Sequence, residues 1–125
     1  MYVIDNARIA PTGLPGIVHR TLASRADGLN SLSVWMQTMA PGAATPPHRH
    51  DCDEVVVVLA GRGEVHIAGQ VQAIGPNQTL VLPAEVDHQI VNTGDEPLQT
   101  LAALAATPVQ VTLPDGSRFP LPWIS

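Results

Sequence analysis

Gly42-Ala43-Ala44-Thr45-Pro46-Pro47-His48-Arg49-His50-Asp51-Cys52-Asp53-Glu54, running on into Val55-Val56-Val57-Val58-Leu59-Ala60-Gly61, decides how this chain is read. Two histidines stand at i and i+2, a glutamate follows, and an unbroken apolar run begins directly after it. In extended backbone, side chains alternate between two faces, so His48, His50 and Glu54 share one face and Arg49 takes the other. Two imidazoles and a carboxylate on one face make half of a metal site, because those donors suit zinc, iron, manganese or nickel. His88, within Pro83-Ala84-Glu85-Val86-Asp87-His88-Gln89-Ile90-Val91-Asn92, adds a third imidazole if an antiparallel neighbour carries it there. Pro46-Pro47 holds the chain extended just ahead of His48, since each ring fixes φ, and this lowers the entropy cost of presenting the histidines.

These residues resemble the first sequence motif of the cupin superfamily at each fixed position: Gly42, five residues, His48-x-His50, three residues, Glu54, six residues, Gly61. Gly75, Pro83, His88 and Asn92 resemble the second motif, with a Gly-to-Pro spacing two residues longer and Glu85 where the family usually has Gly. The resemblance covers residues 42–92, with the first motif at 42–61 and the second at 75–92. It implies an all-β fold, an antiparallel double-stranded β-helix closed as a jelly-roll barrel. It also implies one divalent transition metal per chain (Fe, Mn, Ni or Zn), held inside one end by His48, His50, Glu54 and His88.

The rest of the chain agrees with many short strands. Twelve Pro and ten Gly cut it into apolar pieces, the spacing of an all-β sandwich or barrel. Strands are expected at Ile17–Leu22, Ser31–Met39, Val55–Ala60, Glu64–Ala68, Val71–Ile74, Thr79–Leu82 and His88–Asn92, with a loop over Pro11–Gly16. The continuous run Val55–Ala60 predicts a strand covered on both faces. Leu98–Ala106 has helical propensity in its Leu and Ala, but its place after a hairpin in a β chain favours strand. No repeat or linker divides the chain, and 125 residues predict a single domain over 1–125.

Composition excludes several functions. The net charge is −5, Lys is absent and the six Arg are scattered, so no basic patch serves nucleic acid. No apolar run reaches the length of a bilayer span. A lone cysteine, Cys52, cannot form an internal disulfide and fits a reducing compartment, and the opening residues lack the features of a leader; the expected location is cytoplasmic. Small barrels leave apolar faces and edges that need cover, so a homodimer of C2 symmetry is expected, with the first residues and the Pro-rich tail ending at Trp123 as covering segments.

Other candidates have plainer explanations. Cys52 shares the ligands' alternation, yet free Cys is usually a small buried hydrophobe. Glu85 is either a base at the mouth or a solvated loop carboxylate. His19 and His66 lie outside both motifs and read as core or surface histidines. Trp35, Met36 and Met39 read as barrel lining, which with few polar groups makes a small-molecule pocket. The expected function is a metal-dependent small-molecule enzyme of dioxygenase type, with Glu54 its possible catalytic group. A non-redox isomerase or lyase and a non-catalytic sensor or storage protein remain as alternatives, since the fold hosts all three.

Overall fold

The computed structural model describes residues 2–125. Among these residues nine strands form: β1 (Thr12–Leu14), β2 (Ile17–Ala23), β3 (Ser33–Met39), β4 (Glu54–Ala60), β5 (Gly63–Ile67), β6 (Gln70–Ile74), β7 (Thr79–Leu82), β8 (His88–Val91) and β9 (Leu98–Leu104). They make a six-stranded sheet in the order β1-β2-β3-β9-β4-β7 and a three-stranded sheet in the order β6-β5-β8, with antiparallel pairing throughout. This is the jelly-roll barrel. Among the described residues no helix is long and apolar enough to cross a membrane.

The smaller sheet is widened by irregular segments. Residue 44 bridges Val91, His48 bridges His88, and Arg49 bridges Thr112. The inward rows of the large sheet carry the core: Val56 and Val58 from β4, Leu98, Ala102 and Leu104 from β9, Trp35 and Met39 from β3. Alternation on β3 places Trp35 inside, and it therefore turns Met36 to the outer face. Met36 is thus not barrel lining, a consequence of the period of two.

Leu98–Leu104 is a strand, as its setting favoured over its propensity. It pairs on both sides, with β3 and β4, and tertiary pairing decides what local composition left open. The expected loop over residues 11–16 differs in one respect. Thr12–Leu14 pairs with Ile17–His19 as a short hairpin, which Gly16 closes at φ +74°. The run Val55–Ala60 is covered within this chain on one face only: Val56 and Val58 are buried, whereas Val55 and Leu59 are exposed.

The first motif's terminal glycines have a backbone reason. Gly42 has φ +82° and Gly61 φ +87°, the left-handed region that other residues avoid. At Gly61 a Cβ would also run into the Pro97 carbonyl. Asn92, fully buried, ties the second motif to the first. Its Nδ2 donates to the Met39 and Glu96 carbonyls, and its own carbonyl accepts from the Gly42 N–H.

Candidate metal centre

His48 and His88 lie on facing segments joined by reciprocal backbone bonds of 3.0 and 2.8 Å. His50 follows two residues on, and Glu54 opens β4 after the bend at Asp51–Cys52. That bend interrupts strict alternation, yet all four side chains still converge. The ligating nitrogens of His48, His50 and His88 lie within 4.8 Å of one another. Glu54 Oε1 is 3.4 Å from Nε2 of both His50 and His88. Atoms bound about 2.1 Å from one ion sit roughly 3.0–3.5 Å apart, so the two Glu54 separations match a coordination shell, and the nitrogens need draw in only modestly to complete it.

The protonation of each ring follows from its partner. His48 Nδ1 donates to the Pro46 carbonyl at 2.6 Å, His50 Nδ1 to the Gln110 carbonyl at 2.8 Å, and His88 Nδ1 to the Val86 carbonyl at 3.1 Å. A carbonyl only accepts, so every Nδ1 carries the hydrogen, and in its neutral form each ring turns an Nε2 lone pair towards the centre. Glu54 Oε1, buried, faces those lone pairs and makes no hydrogen bond. Four electron-rich atoms thus point at one spot with nothing positive between them. A cation there satisfies all four, and that makes the residues present fit a metal.

The electrostatics keep the His48 ring neutral but draw a proton towards the His50–Glu54 pair. Burial drives the His48 pKa down to about 4, with His88 beside it adding to the effect. Burial opposes ionisation of Glu54, but the adjoining His50 and His88 outweigh it and hold the carboxyl at about 2. Burial likewise opposes charge on His50, yet Glu54 overcomes it and raises that pKa. Without a cation the alternative is a protonated His50 paired with Glu54.

A cavity opens onto this centre. Its walls include Trp35, Ile90, Val111, Phe119, Leu121 and Trp123, with Gln37 and Thr100 among the few polar groups. Trp123 stacks on buried His19 at 3.7 Å between ring centres and meets Trp35 edge-on at 5.9 Å. The tail therefore packs against its own barrel. Its signal was in the sequence: in Phe119-Pro120-Leu121-Pro122-Trp123 the apolar residues fall at i, i+2 and i+4, one face of an extended segment.

The remaining candidates fall away from the centre. Cys52 sits in the core, and burial, with Asp51 and Glu54 near it, pushes its thiol up to about 11, an inert state. Glu85 is exposed and pairs with Arg49 at 3.7 Å, outside the cavity. His66 is paired with Glu64 on the surface. His19 is a satisfied core histidine between Thr21 and Gln37. What sequence reasoning missed are the carbonyls of Pro46, Val86 and Gln110, because a backbone acceptor leaves no mark in residue identity.

Comparison with known proteins adds the family. The sequence profile described as auxin-binding protein matches residues 4–122. Auxin-binding protein 1 of Arabidopsis thaliana is 39% identical over 109 residues, 79% of this chain and 55% of the relative. The Streptomyces cyaneus protein named polyketide synthase CurC is 32% identical over 96 residues, 75% of this chain and 62% of that one. The chain thus spans a little over half the length of these relatives. Among solved structures, an RmlC-like cupin from Shewanella frigidimarina superposes with TM-score 0.76 over 86% of this chain and 93% of the other, at 16% identity, a likeness of fold.

Proposed function

This chain belongs to the auxin-binding protein family of cupins, and from that premise we propose that it binds a small aromatic anion at one divalent transition metal held by His48, His50, Glu54 and His88. The observation that carries this is the convergence of three Nε2 lone pairs and an unpartnered, buried Glu54 oxygen at the end of an aromatic-walled cavity. When bound, the ion supplies a positive charge and open coordination positions for an anionic ligand oxygen.

The chain's own residues do the rest. Carbonyls of Pro46, Gln110 and Val86 keep the rings pointed and in one tautomer. Trp35, Phe119 and Trp123 offer flat apolar surface to a planar body and exclude water from it. Relatives named as auxin-binding support a ligand of that kind, a planar ring bearing a carboxylate. A carboxylate also fits the charge: an anion suits the cation, whereas an ammonium group does not.

Dioxygenase-type turnover is the second reading. It is favoured by a donor set of three nitrogens and one carboxylate opening straight onto the cavity, which leaves an octahedral ion free positions. Lewis-acid isomerase or lyase chemistry uses the same opening. We also propose that the protein works in the cytoplasm, on the evidence of its unpaired Cys52, and as a homodimer.

Calorimetry with indole-3-acetate on zinc-loaded and chelated protein tests the first reading, and oxygen uptake by the iron-loaded form tests the second. Binding that needs the metal is expected. Equal binding by the chelated protein, or none by either form, sinks the ligand assignment. Oxygen uptake coupled to loss of an aromatic acid moves the protein to the oxidoreductases.

A further inference from the structure

Arg49 stands between two of the metal-binding histidines, and the period of two turns it to the reverse of the face they share. Its side chain is only 24% exposed, although it carries a charge and lines no part of the cavity. Its backbone exchanges two hydrogen bonds with Thr112, at 2.9 and 3.0 Å. Its Nη1 donates to the Leu113 carbonyl and to Asp87 Oδ1, each at 3.3 Å, and its Nε lies 3.7 Å from Glu85 Oε2. The fork of one guanidinium thus reaches two segments distant in sequence, residues 85–87 ahead of β8 and residues 112–113 beyond β9.

Those two segments carry the carbonyls that aim two of the rings. Val86, between Glu85 and Asp87, accepts from His88 Nδ1, and Gln110, two residues before Thr112, accepts from His50 Nδ1. A shift of either segment turns a ring, because each ring follows its Nδ1 partner. Glu85 is the unexpected member. It takes φ +66°, where L side chains are strained, at the position that the second cupin motif usually gives to Gly. Its N–H donates to the His50 carbonyl at 2.8 Å, a bond that Gly would make equally well. The backbone therefore gives no reason for a carboxylate there, whereas the nearby guanidinium does.

We infer that Arg49 is a positioning residue for the metal centre, a crosstie that fixes the Val86 and Gln110 carbonyls and, through them, the His88 and His50 rings. Glu85 and Asp87 hold the guanidinium from one side and the Leu113 carbonyl from the other. His48 stands outside this arrangement. Its acceptor, the Pro46 carbonyl, belongs to a stretch that two proline rings already hold extended. No such ring stiffens Val86, and Gln110 lies sixty residues from His50, so these two acceptors are the ones that need a tie. This inference rests on the metal proposed above and adds what orients its ligands.

The rate at which zinc-loaded protein surrenders its ion to excess chelator tests it, with scanning calorimetry of the chelated proteins giving stability. Arg49→Met should release zinc about 10–100-fold faster, the range for a lost orienting partner, and Arg49→Lys should recover part of that loss. Glu85→Gly should also release zinc faster, yet its chelated form should melt at or above wild type, because Gly relieves the strained φ. Charge alone predicts opposite signs for the two: losing a cation near the ion slows release, and losing an anion speeds it. Cobalt-loaded Arg49→Met should still bind one ion, with its visible absorption shifted, since the donors are the same and only their angles differ. Slower or unchanged release in Arg49→Met overturns the crosstie. Release rates that merely follow stability across the variants, Glu85→Gly included, also overturn it and leave Arg49 a structural residue. If Arg49→Met does not fold, Arg49→Lys and Glu85→Gly carry the same test. A wild type that takes up neither zinc nor cobalt overturns the metal reading and the crosstie with it, whereas a loaded wild type with indifferent variants spares the metal.

Discussion

Glu54→Gln separates a metal ligand from a structural anchor by the sign of its effect on stability. In metal-free protein at pH 8.5, with the rings neutral, the Glu54 carboxylate faces Nε2 lone pairs of His50 and His88 at 3.4 Å. Gln is close to isosteric and replaces the charge with an amide that donates to those nitrogens. An unsatisfied buried polar group costs about 1–3 kcal/mol, so the variant should be more stable than wild type by about that much. With ΔS near 2.1 cal/mol/K per residue, a chain of 125 residues gains ~4 °C in Tm per kcal/mol, which is ~4–11 °C here. Adding zinc should close that gap. Wild type gains about 2.7 kcal/mol at a hundred times Kd, roughly 10 °C, and the variant gains less because its ligand is neutral. Scanning calorimetry of chelated and zinc-loaded forms measures both quantities. If Glu54 instead anchors a protonated His50, breaking the buried pair costs about 3–5 kcal/mol, and chelated Glu54→Gln melts well below wild type. That result would refute the reasoning from lone pairs.

Three further outcomes are expected. Elemental analysis should find close to one transition metal per chain in wild type and little in His48→Ala or His50→Ala; undiminished content would remove those residues from the centre. Stability should fall on acidification because of His19, whose folded pKa is about 3 against 6.5 unfolded, owing to burial. The unfolded chain takes up a proton that the native state refuses, so stability is complete above pH 6.5 and declines by up to about 1.4 kcal/mol per pH unit as pH falls towards 3. His19→Gln should flatten that slope in denaturant titrations, and an unchanged slope would contradict the assignment. Trp123→Ala should cost about 2–4 kcal/mol through lost packing on His19 and Trp35 and should weaken aromatic-anion binding, while metal content stays the same. Loss of metal along with the ligand would show that the tail supports the centre itself.

The centre was largely legible because its side-chain chemistry is local. His48, His50 and Glu54 lie within seven residues, and Pro46-Pro47 announces an extended approach. His88 needed a strand pairing that sequence alone could not supply; the His48–His88 bridge provides it. The strand order was not legible, since Leu98–Leu104 enters between β3 and β4 through contacts distant in sequence. The tail left a partial signal: Phe119, Leu121 and Trp123 share one face of an extended segment, but nothing local says which surface they meet. Met36 shows the limit of composition: its neighbour Trp35 lines the cavity, and a period of two then forces Met36 outward.

The three rings are aimed by carbonyls from three separate segments: residue 46 before the first motif, residue 86 in the loop before β8, and residue 110 beyond β9. No single local movement can turn all three away, so the donor set is preorganised by the closure of the barrel itself. Its cost is electrostatic, a cluster of lone pairs and a buried carboxylate that the fold must hold together until a cation arrives. The cavity wall is built on the opposite principle. Pro120 and Pro122 lack N–H groups and cannot join a ladder, so Phe119–Trp123 contributes side chains without being a sheet strand. The segment is tied by the Phe119 N–H to the Val111 carbonyl at one end, and at the other by the Thr21 hydroxyl to the Ile124 carbonyl and the Val109 N–H to the Ser125 hydroxyl. Between those ties its residues can vary in size without disturbing any strand register. Substitutions at residues 119–123 would therefore reshape the wall of the proposed ligand cavity while the segments that carry His48, His50, Glu54 and His88 stay in place.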